Sequence, residues 1–282
     1  MLRLTRIEHS IMLVVAVVAA ELLAGGLPGL GVLALSVATP IFVSMGSFAI
    51  NDYFDIEVDR LNRKKKRPLV SGALTPAQAL CVAAASFAVG VGASWFINAY
   101  AFAIALAFAA LAIVYARWLK EILLWGNAYV ALSMVIPFIY GYYVKSIAPA
   151  WGILIPVCAM VFLSGLGREI HGTIRDYSGD VRVRNARTLP KAVGIGAAAY
   201  AALALYLAAI AISAYLLLCV VPFRASAVFG VMVIASDVLL LYVSLGHVLL
   251  RSEKFYALAR DVSLAAMALA IFAILLAPLV RI

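Results

Sequence analysis

The stretch Asn51-Asp52-Tyr53-Phe54-Asp55-Ile56-Glu57-Val58-Asp59-Arg60 organises this chain, because it places an acidic cluster directly after an apolar run at 34–50. A helix turns about 100° per residue, so Asn51, Asp55 and Asp59 lie within about 80° of one another. These three residues are therefore expected to form one polar stripe at the end of a membrane-spanning helix.

Two further acids sit in the same stretch. Asp52 is expected beside the stripe, whereas Glu57 points away from it. Amide and carboxylate oxygens spaced in this way suit a hard cation such as Mg²⁺, which proteins commonly bind together with substrate phosphates. The alternative is a solvated helix end whose acids simply face water.

The composition indicates a membrane protein. The chain has 282 residues, of which 66% are hydrophobic, and its mean hydropathy is +1.09. A helix needs about 20 apolar residues to cross ~30 Å of hydrocarbon. We therefore predict an all-α integral membrane protein with nine transmembrane helices, at about 10–26, 29–56, 76–97, 99–117, 122–144, 150–175, 191–218, 225–250 and 256–279. The run 191–221 exceeds one untilted span, so a tilt or an interfacial end is expected there.

Basic residues lie almost entirely on one side of this arrangement. Of the 22 Lys and Arg, all but Lys145, Arg224 and Arg281 fall in the amino-terminal tail or in loops on its side. Positive residues concentrate in cytosolic loops. The pattern predicts a cytosolic amino terminus, an external carboxyl terminus and, together with an anionic substrate, explains the net charge of +9 without a nucleic acid partner.

A second acidic cluster closes the sixth span. On a helix, Asp176 and Asp180 are one turn apart and share a face with Glu169 and Thr173. Such a pair alone is weak evidence, because any exposed helix can carry one. Both clusters, however, end spans on the same cytosolic side.

Two facing carboxylate clusters suit the transfer of a group from a diphosphate. The leaving group must be neutralised while its bond to carbon breaks, and carboxylate-bound Mg²⁺ ions can do this. Nearby basic and phenolic groups on the same side are candidates for diphosphate binding: Arg63, Arg67, Tyr115 and Lys120. The run Lys64-Lys65-Lys66 is better explained by anchoring at the membrane surface.

Polar and aromatic residues also occur inside the spans. Glu21 and Asp237 are candidates for a functional site, because acids in the membrane are costly, or for contacts between helices. Five aromatic residues of the fifth span would line an isoprenoid cavity, stabilise a carbocation or form an interfacial belt: Tyr129, Phe138, Tyr140, Tyr142 and Tyr143.

These motifs resemble those of the UbiA superfamily of intramembrane prenyltransferases. The resemblance rests on N-D-x-x-D-x-x-x-D at 51–59, R-P-L-x-S-G at 67–72 and D-x-x-x-D at 176–180. It covers nearly the whole chain and implies nine helices around a central cavity. The implied organisation is a single transmembrane domain, 1–282, with two motif-bearing halves at about 1–145 and 146–282.

The resemblance also implies roles for particular residues. It implies Mg²⁺-dependent transfer of a prenyl group from a polyprenyl diphosphate, with the tail held among the spans. Mg²⁺ would be held by Asn51 and by four catalytic aspartates: Asp55, Asp59, Asp176 and Asp180. Diphosphate would be held or released by Arg63, Arg67, Tyr115 and Lys120. No residue identifies itself as the general base; Asp59, Glu169 and the departing diphosphate are the options.

Within the family, R-E-I at 168–170 and A-R-T-L-P at 186–190 are similar to the archaeal digeranylgeranylglyceryl phosphate synthases. The similarity implies transfer of a geranylgeranyl group to geranylgeranylglyceryl phosphate, forming the second ether of an archaeal membrane lipid. Arg182, Arg184 and Arg187 would meet the acceptor's phosphate. An aromatic prenyltransferase acting on 4-hydroxybenzoate or naphthoate is the alternative. A transporter is a remote one, since both clusters lie at one face rather than near the midplane.

Overall fold

The computed structural model describes residue 4 and residues 10–61, 64–65, 67–177 and 188–280. Over these residues the regular elements are all helical. They are α1 (Ser10–Leu23), α2 (Leu30–Phe54), α3 (Ile56–Leu61), α4 (Pro76–Trp95), α5 (Ala99–Arg117), α6 (Trp125–Lys145), α7 (Trp151–Arg175), α8 (Leu189–Cys219), α9 (Ala227–Leu249) and α10 (Glu253–Leu276), with 3₁₀ turns at Leu119–Glu121 and Phe223–Ala225.

Nine long helices coincide with the nine predicted spans, which confirms the all-α membrane fold. Eight of them are long and apolar enough to cross a membrane. The described part of α1 has 14 residues, which is about 21 Å at 1.5 Å per residue. It ends before Gly25 and Gly26, whose φ angles of 117° and 115° are readily adopted by glycine.

The expected continuous helix through the first motif is wrong in one respect. Helix α2 ends at Phe54, and Asp55 follows as its C-cap with φ −91° and ψ 0° before α3 begins. Aspartate favours helix ends over helix interiors, because its side chain competes for backbone groups. The backbone bonds nevertheless continue, from Asp55 N to Asn51 O at 3.0 Å and from Asp59 N to Asp55 O at 2.8 Å. The spacing of the polar stripe therefore survives the break.

The second motif likewise begins at a helix end. Helix α7 stops at Arg175, and Asp176 is its C-cap with φ −86° and ψ 0°. The predicted helical pairing of Asp176 with Asp180 lies outside the described residues. Thr173 and Glu169 lie within the last two turns of α7, as the sequence predicted.

The long run after the second motif is divided by a glycine. Gly194 in α8 has φ 85° and ψ 156°, so the helix is interrupted after its first few residues. This explains a 31-residue helix where one untilted span needs about 20. The tilt or interfacial end expected for this run stays a prediction.

Small residues allow the helices to approach closely. A Cβ added to Gly141 of α6 would lie 2.9 Å from Val17 Cα of α1, and one added to Gly90 of α4 would lie 2.9 Å from a Val43 methyl group of α2. Helices in membranes pack largely through such small residues, since lipid offers little hydrophobic driving force. Helix α10 packs against α1, so the bundle closes on itself.

Polar caps fix the connection between α4 and α5. Asn98 caps α5 by accepting from Ala101 N, and its Nδ2 donates to the Tyr143 carbonyl of α6 at 2.9 Å. The alternating direction of the helices places both motifs at one end of the bundle, together with the ends of α5 and α9 and the start of α10. The candidate site is built at that end.

Candidate active site

Arg67 joins the two flanking acids of the first motif. Its Nη1 forms an ion pair with Asp52 Oδ1 and a second with Asp59 Oδ2 at 2.8 Å. Lys64 Nζ lies 3.1 Å from the other Asp59 oxygen. Both carboxylates are only 3% exposed. The loop after α3 thus folds back so that its cations neutralise the acids that precede it.

Lys120 reaches the central acid of the motif from the other side. Its Nζ lies 2.7 Å from Asp55 Oδ1, and the two side chains are 8% and 11% exposed. Asn51 Nδ2 donates to the second oxygen, Asp55 Oδ2, at 3.0 Å. Tertiary contact thus brings together groups that are 65 residues apart, as the sequence analysis expected of a site shared by several spans.

The first motif fits a hard cation. Asn51 Oδ1 is buried with no hydrogen-bond partner among the described residues, and a buried acceptor left unpaired is costly. Asn51, Asp55 and Asp59 together provide an all-oxygen donor set, which Mg²⁺ prefers. Within the described ranges, no group of three or more His, Cys, Asp or Glu lies close enough to hold one metal ion, and basic side chains pair with Asp55 and Asp59.

The acids of the second motif also have basic partners. Arg175 forms two bonds to Asp176, from Nε at 2.7 Å and from Nη2 at 2.9 Å. Arg168 Nη1 donates to Glu169 Oε1 at 2.9 Å. Asp176 is 54% exposed, so this carboxylate is accessible from solvent at this end of the bundle.

A polar cavity of about 330 Å³ is lined by Lys64 and Lys120, which pair with acids of the first motif, and by residues of the second. Its wall combines cations and a phenol beside the first motif with charged residues of the second: Lys64, Tyr115, Lys120, Arg168, Glu169, Arg175 and Asp176. A cavity with this many cations suits an anionic group such as a phosphate.

An apolar cavity of about 650 Å³ lies beneath the polar one. The two cavities share Tyr115, Val130 and Arg168, so they meet at this wall. The apolar cavity runs between eight of the long helices, and its lining includes Asn51 and Tyr140. The combination provides a charged compartment for a headgroup above an apolar compartment for a tail.

Aromatic rings form the wall where the cavities meet. Tyr115 stacks on Tyr129 with ring centroids 4.0 Å apart and an interplanar angle of 14°, and Tyr129 stacks on Phe108 at 5.7 Å. The ring faces of aromatic residues attract cations. Tyr129 and Tyr140 line the apolar cavity, as one of the three interpretations from the sequence predicted.

The other three aromatic residues singled out in α6 lie away from the cavities and contact other parts of the protein. Phe138 is fully buried in the core. Tyr142 accepts a hydrogen bond from Ala150 N at 2.9 Å, and Tyr143, near the carboxyl end of α6, stacks on Tyr100. These three residues are therefore not part of the cavity wall.

The two acids inside the spans lie beside helix neighbours. Glu21 of α1 is fully buried, with the Ser36 side chain of α2 beside its carboxylate. Asp237 of α9 accepts a hydrogen bond from Ser213 of α8 and also lines the apolar cavity. Glu21 and Asp237 thus each lie against a serine side chain of a neighbouring helix, as the interpretation of contacts between helices predicted.

Other residues were missed or lie outside the described ranges. Arg63 and Asp180, both predicted site residues, and the three arginines at 182, 184 and 187 are not among the described residues. The structure adds His171 and His247 to the polar cavity wall. They are 76 residues apart (247 − 171), so no local pattern could have paired them.

The sequence profile of the UbiA prenyltransferase family matches residues 12–257, which is most of the chain. The chain belongs to the UbiA prenyltransferase family. This UbiA-family protein is thus an intramembrane prenyltransferase.

Curated relatives lie in one branch of the UbiA family. The chain is 36% identical over 239 residues to the digeranylgeranylglyceryl phosphate synthase of Archaeoglobus fulgidus, covering 84% of this chain and 80% of the relative. It is 36% identical over 214 residues to the enzyme of the same name from Methanoregula boonei, covering 75% of this chain and 74% of the relative.

Solved UbiA structures share the fold. A structure of digeranylgeranylglyceryl phosphate synthase in membranes superposes with a TM-score of 0.79 at 24% identity, covering 98% of this chain and 96% of the other. A UbiA homologue from Archaeoglobus fulgidus bound to GPP and Mg²⁺ gives 0.66 at 20% identity, with 97% and 98% coverage. The nine-helix UbiA bundle is therefore the architecture of this chain.

Proposed function

We propose that this chain transfers a geranylgeranyl group from geranylgeranyl diphosphate to geranylgeranylglyceryl phosphate, in a Mg²⁺-dependent reaction that forms the second ether of an archaeal membrane lipid. The observation that carries the proposal is the direct junction of a cationic cavity with a larger apolar one. The names of the similar archaeal synthases support this choice of acceptor.

The donor would bind across the junction of the cavities. Its isoprenoid tail suits the apolar cavity, where burial of each CH₂ group contributes about 0.8 kcal/mol. Its diphosphate suits the polar cavity, where Lys120 and Lys64 supply positive charge. Tyr115, Lys120, Arg67 and Arg63 remain our proposed diphosphate residues, although Arg67 contacts Asp52 and Asp59 in this state.

The proposed cation ligands are Asn51, Asp55, Asp59, Asp176 and Asp180. The unpaired Asn51 oxygen supports the first three, and exposure of Asp176 to the cytosolic end supports the fourth. Mg²⁺ bound there would offset the negative charge that develops on the departing diphosphate.

The chain's own residues would control the carbon centre. As the bond from carbon to the diphosphate oxygen breaks, positive charge develops on the allylic carbon, close to the stacked rings of Tyr115 and Tyr129. Their faces would stabilise that charge. The apolar wall below excludes water, so the acceptor hydroxyl is favoured over hydrolysis.

The proposed acceptor carries a phosphate and an apolar chain. Arg175 and Arg260 also line the polar cavity, so positive charge besides that of Lys120 is available for its phosphate. Together with the basic loops, this arrangement supports an active site on the cytosolic side, with the amino terminus in the cytosol and the carboxyl terminus outside. We also propose one transmembrane domain with a motif in each half, about 1–145 and 146–282.

An acceptor panel tests the proposal. Purified protein receives Mg²⁺ and geranylgeranyl diphosphate with either geranylgeranylglyceryl phosphate or 4-hydroxybenzoate, and mass spectrometry identifies the product. We expect the diether phosphate, lost on addition of EDTA. A prenylated benzoate alone would retain the prenyltransferase but refute the lipid acceptor. Full activity in EDTA would refute the cation role.

A further inference from the structure

Two histidines stack against each other in the wall of the polar cavity. The rings of His171 in α7 and His247 in α9 are parallel, with centroids 3.6 Å apart and an interplanar angle of 3°. Tyr256 of α10 packs on His247 at 4.9 Å and 15°. All three residues line the cavity. We call His171 and His247 the histidine pair.

The orientation of His247 is fixed by the backbone. Its Nδ1 lies 2.8 Å from the Val243 carbonyl oxygen, which can only accept a hydrogen bond. Nδ1 therefore carries the proton, and the neutral ring keeps its lone pair on Nε2. A ring held in one tautomer and clamped between two other rings is preorganised to accept a proton.

The ring of His171 is buried with unsatisfied hydrogen-bonding groups. His171 is 5% exposed, and neither ring nitrogen has a hydrogen-bond partner among the described residues. Leaving buried polar atoms unsatisfied is costly, and a phenylalanine would fill the same stacking position without that cost. A polar group in the cavity beside His171 would remove the deficit.

The charges around the pair favour neutral imidazoles. The cavity contains three arginines near the pair, Arg168 and Arg175 on α7 and Arg260 on α10, with Glu169 as an acid beside Arg168. Tyr206 of α8 lies against His171. Two imidazolium ions at stacking distance would repel each other strongly, so at least one ring keeps a free lone pair.

We propose that the histidine pair forms the subsite for the acceptor's hydroxyl group, and that His247 Nε2 takes the hydroxyl proton. The inference rests on the proposed function and adds the base that the acidic motifs do not identify. His171 acts as a positioning residue that binds the polar head of the acceptor beside His247.

The allylic carbon loses its bond to the diphosphate oxygen, which leaves with the electron pair. The acceptor hydroxyl oxygen forms the new ether bond to that carbon, and its proton passes to His247 Nε2. The resulting imidazolium returns the proton to solvent through the open cytosolic end of the cavity.

The test uses full-length His247→Gln and His171→Phe, with Tyr242→Phe as the control. Glutamine keeps a polar side chain but cannot act as a base, and phenylalanine keeps the stack. Tyr242 is 49% exposed and lies on the same helix as His247. For each protein, kcat and the acceptor KM are measured across pH, and donor binding is measured separately by titration with geranylgeranyl diphosphate without acceptor.

We expect His247→Gln to lower kcat by about 100-fold or more, to bind donor normally and to lose the acidic limb of the pH profile. His171→Phe should raise the acceptor KM about five- to tenfold, and Tyr242→Phe should match the wild type. A His247→Gln kcat within threefold of wild type, or a slowed variant that retains the acidic limb, would refute the assignment and leave Asp59, Glu169 and the departing diphosphate as the options. If the wild type itself makes no ether, the proposed function fails instead.

Discussion

At the residue scale, each described acid of the first motif meets a basic side chain. Lys120 contacts Asp55, while Arg67 bridges Asp52 and Asp59. Buried ion pairs contribute little net stability, because desolvation offsets their attraction. This network is therefore better explained by the chemistry of the site than by stabilisation of the fold.

The contribution of the buried Asp55 carboxylate to catalysis can be compared with that of the exposed Glu57 carboxylate. We expect Asp55→Asn to reduce Mg²⁺-dependent diphosphate release by at least about 100-fold, because it removes a negative oxygen donor at nearly constant volume. The matched control is Glu57→Gln, two residues away, whose side chain is 83% exposed. Release of inorganic diphosphate measures both variants. Near-normal turnover of Asp55→Asn, with control and variant equally folded, would contradict the prediction.

The bridging arginine should matter for stability. Arg67→Lys shortens the side chain and removes the planar guanidinium, which weakens the contact that Asp52 and Asp59 share. We expect the free energy of unfolding to fall by about 1–3 kcal/mol. Thermal unfolding in detergent measures the change. Arg60→Lys is the control, since its pair with Glu57 is exposed and 3.4 Å long; equal midpoints for the two variants would argue against the bridge.

At the element scale, close helix contact depends on glycine. Helix α6 approaches α1 so closely that a Cβ on Gly141 would meet the Val17 carbonyl oxygen and lie 2.9 Å from its Cα. Backbone atoms cannot move aside as a flexible side chain can. The contact holds α6, which carries Tyr129 and Tyr140, against α1.

Gly141→Ala should therefore destabilise the protein, by about 1–3 kcal/mol as in other overpacked cores. Gly152→Ala, in the first turn of α7, is the control, because its added Cβ meets nothing within 4 Å. That change should be neutral or mildly stabilising, as alanine favours helix over glycine. The melting temperatures of both variants in detergent test this prediction. An unchanged melting temperature for Gly141→Ala would mean that the two helices can move apart at little cost.

At the scale of the whole molecule, the apolar cavity sets the tail that the protein accepts. Ala270 of α10 lines this cavity, so Ala270→Phe should fill space there. We expect turnover with geranylgeranyl diphosphate to fall at least about tenfold, since overpacking costs about 1–3 kcal/mol, while geranyl diphosphate is affected less.

Ala265→Phe is the matched control on the same helix, because Ala265 is exposed on the outer face. Initial rates with both donors give the ratio of chain-length preference. An equal loss with both donors in Ala270→Phe would indicate a general packing defect rather than a shortened cavity.

The sequence predicted the spans well, because they depend on local patterns of apolar residues. Apolar runs located all nine helices to within a few residues, and the exposed position of Glu57 followed from helical spacing alone. The break at Asp55 and the interruption at Gly194 were not predicted. They change the local backbone course without changing which residues are apolar, so hydropathy does not report them.

The sequence by itself determined the membrane fold, the family and the acids and cations of the two motifs. The tertiary structure decided which partners meet: Lys120 with Asp55, Arg67 with both Asp52 and Asp59, and His171 with His247. The physical reason is the distance along the chain over which each kind of information acts. Periodicity and hydropathy act over a few turns of one helix, whereas a site and its cavity arise where helices distant in the chain pack together.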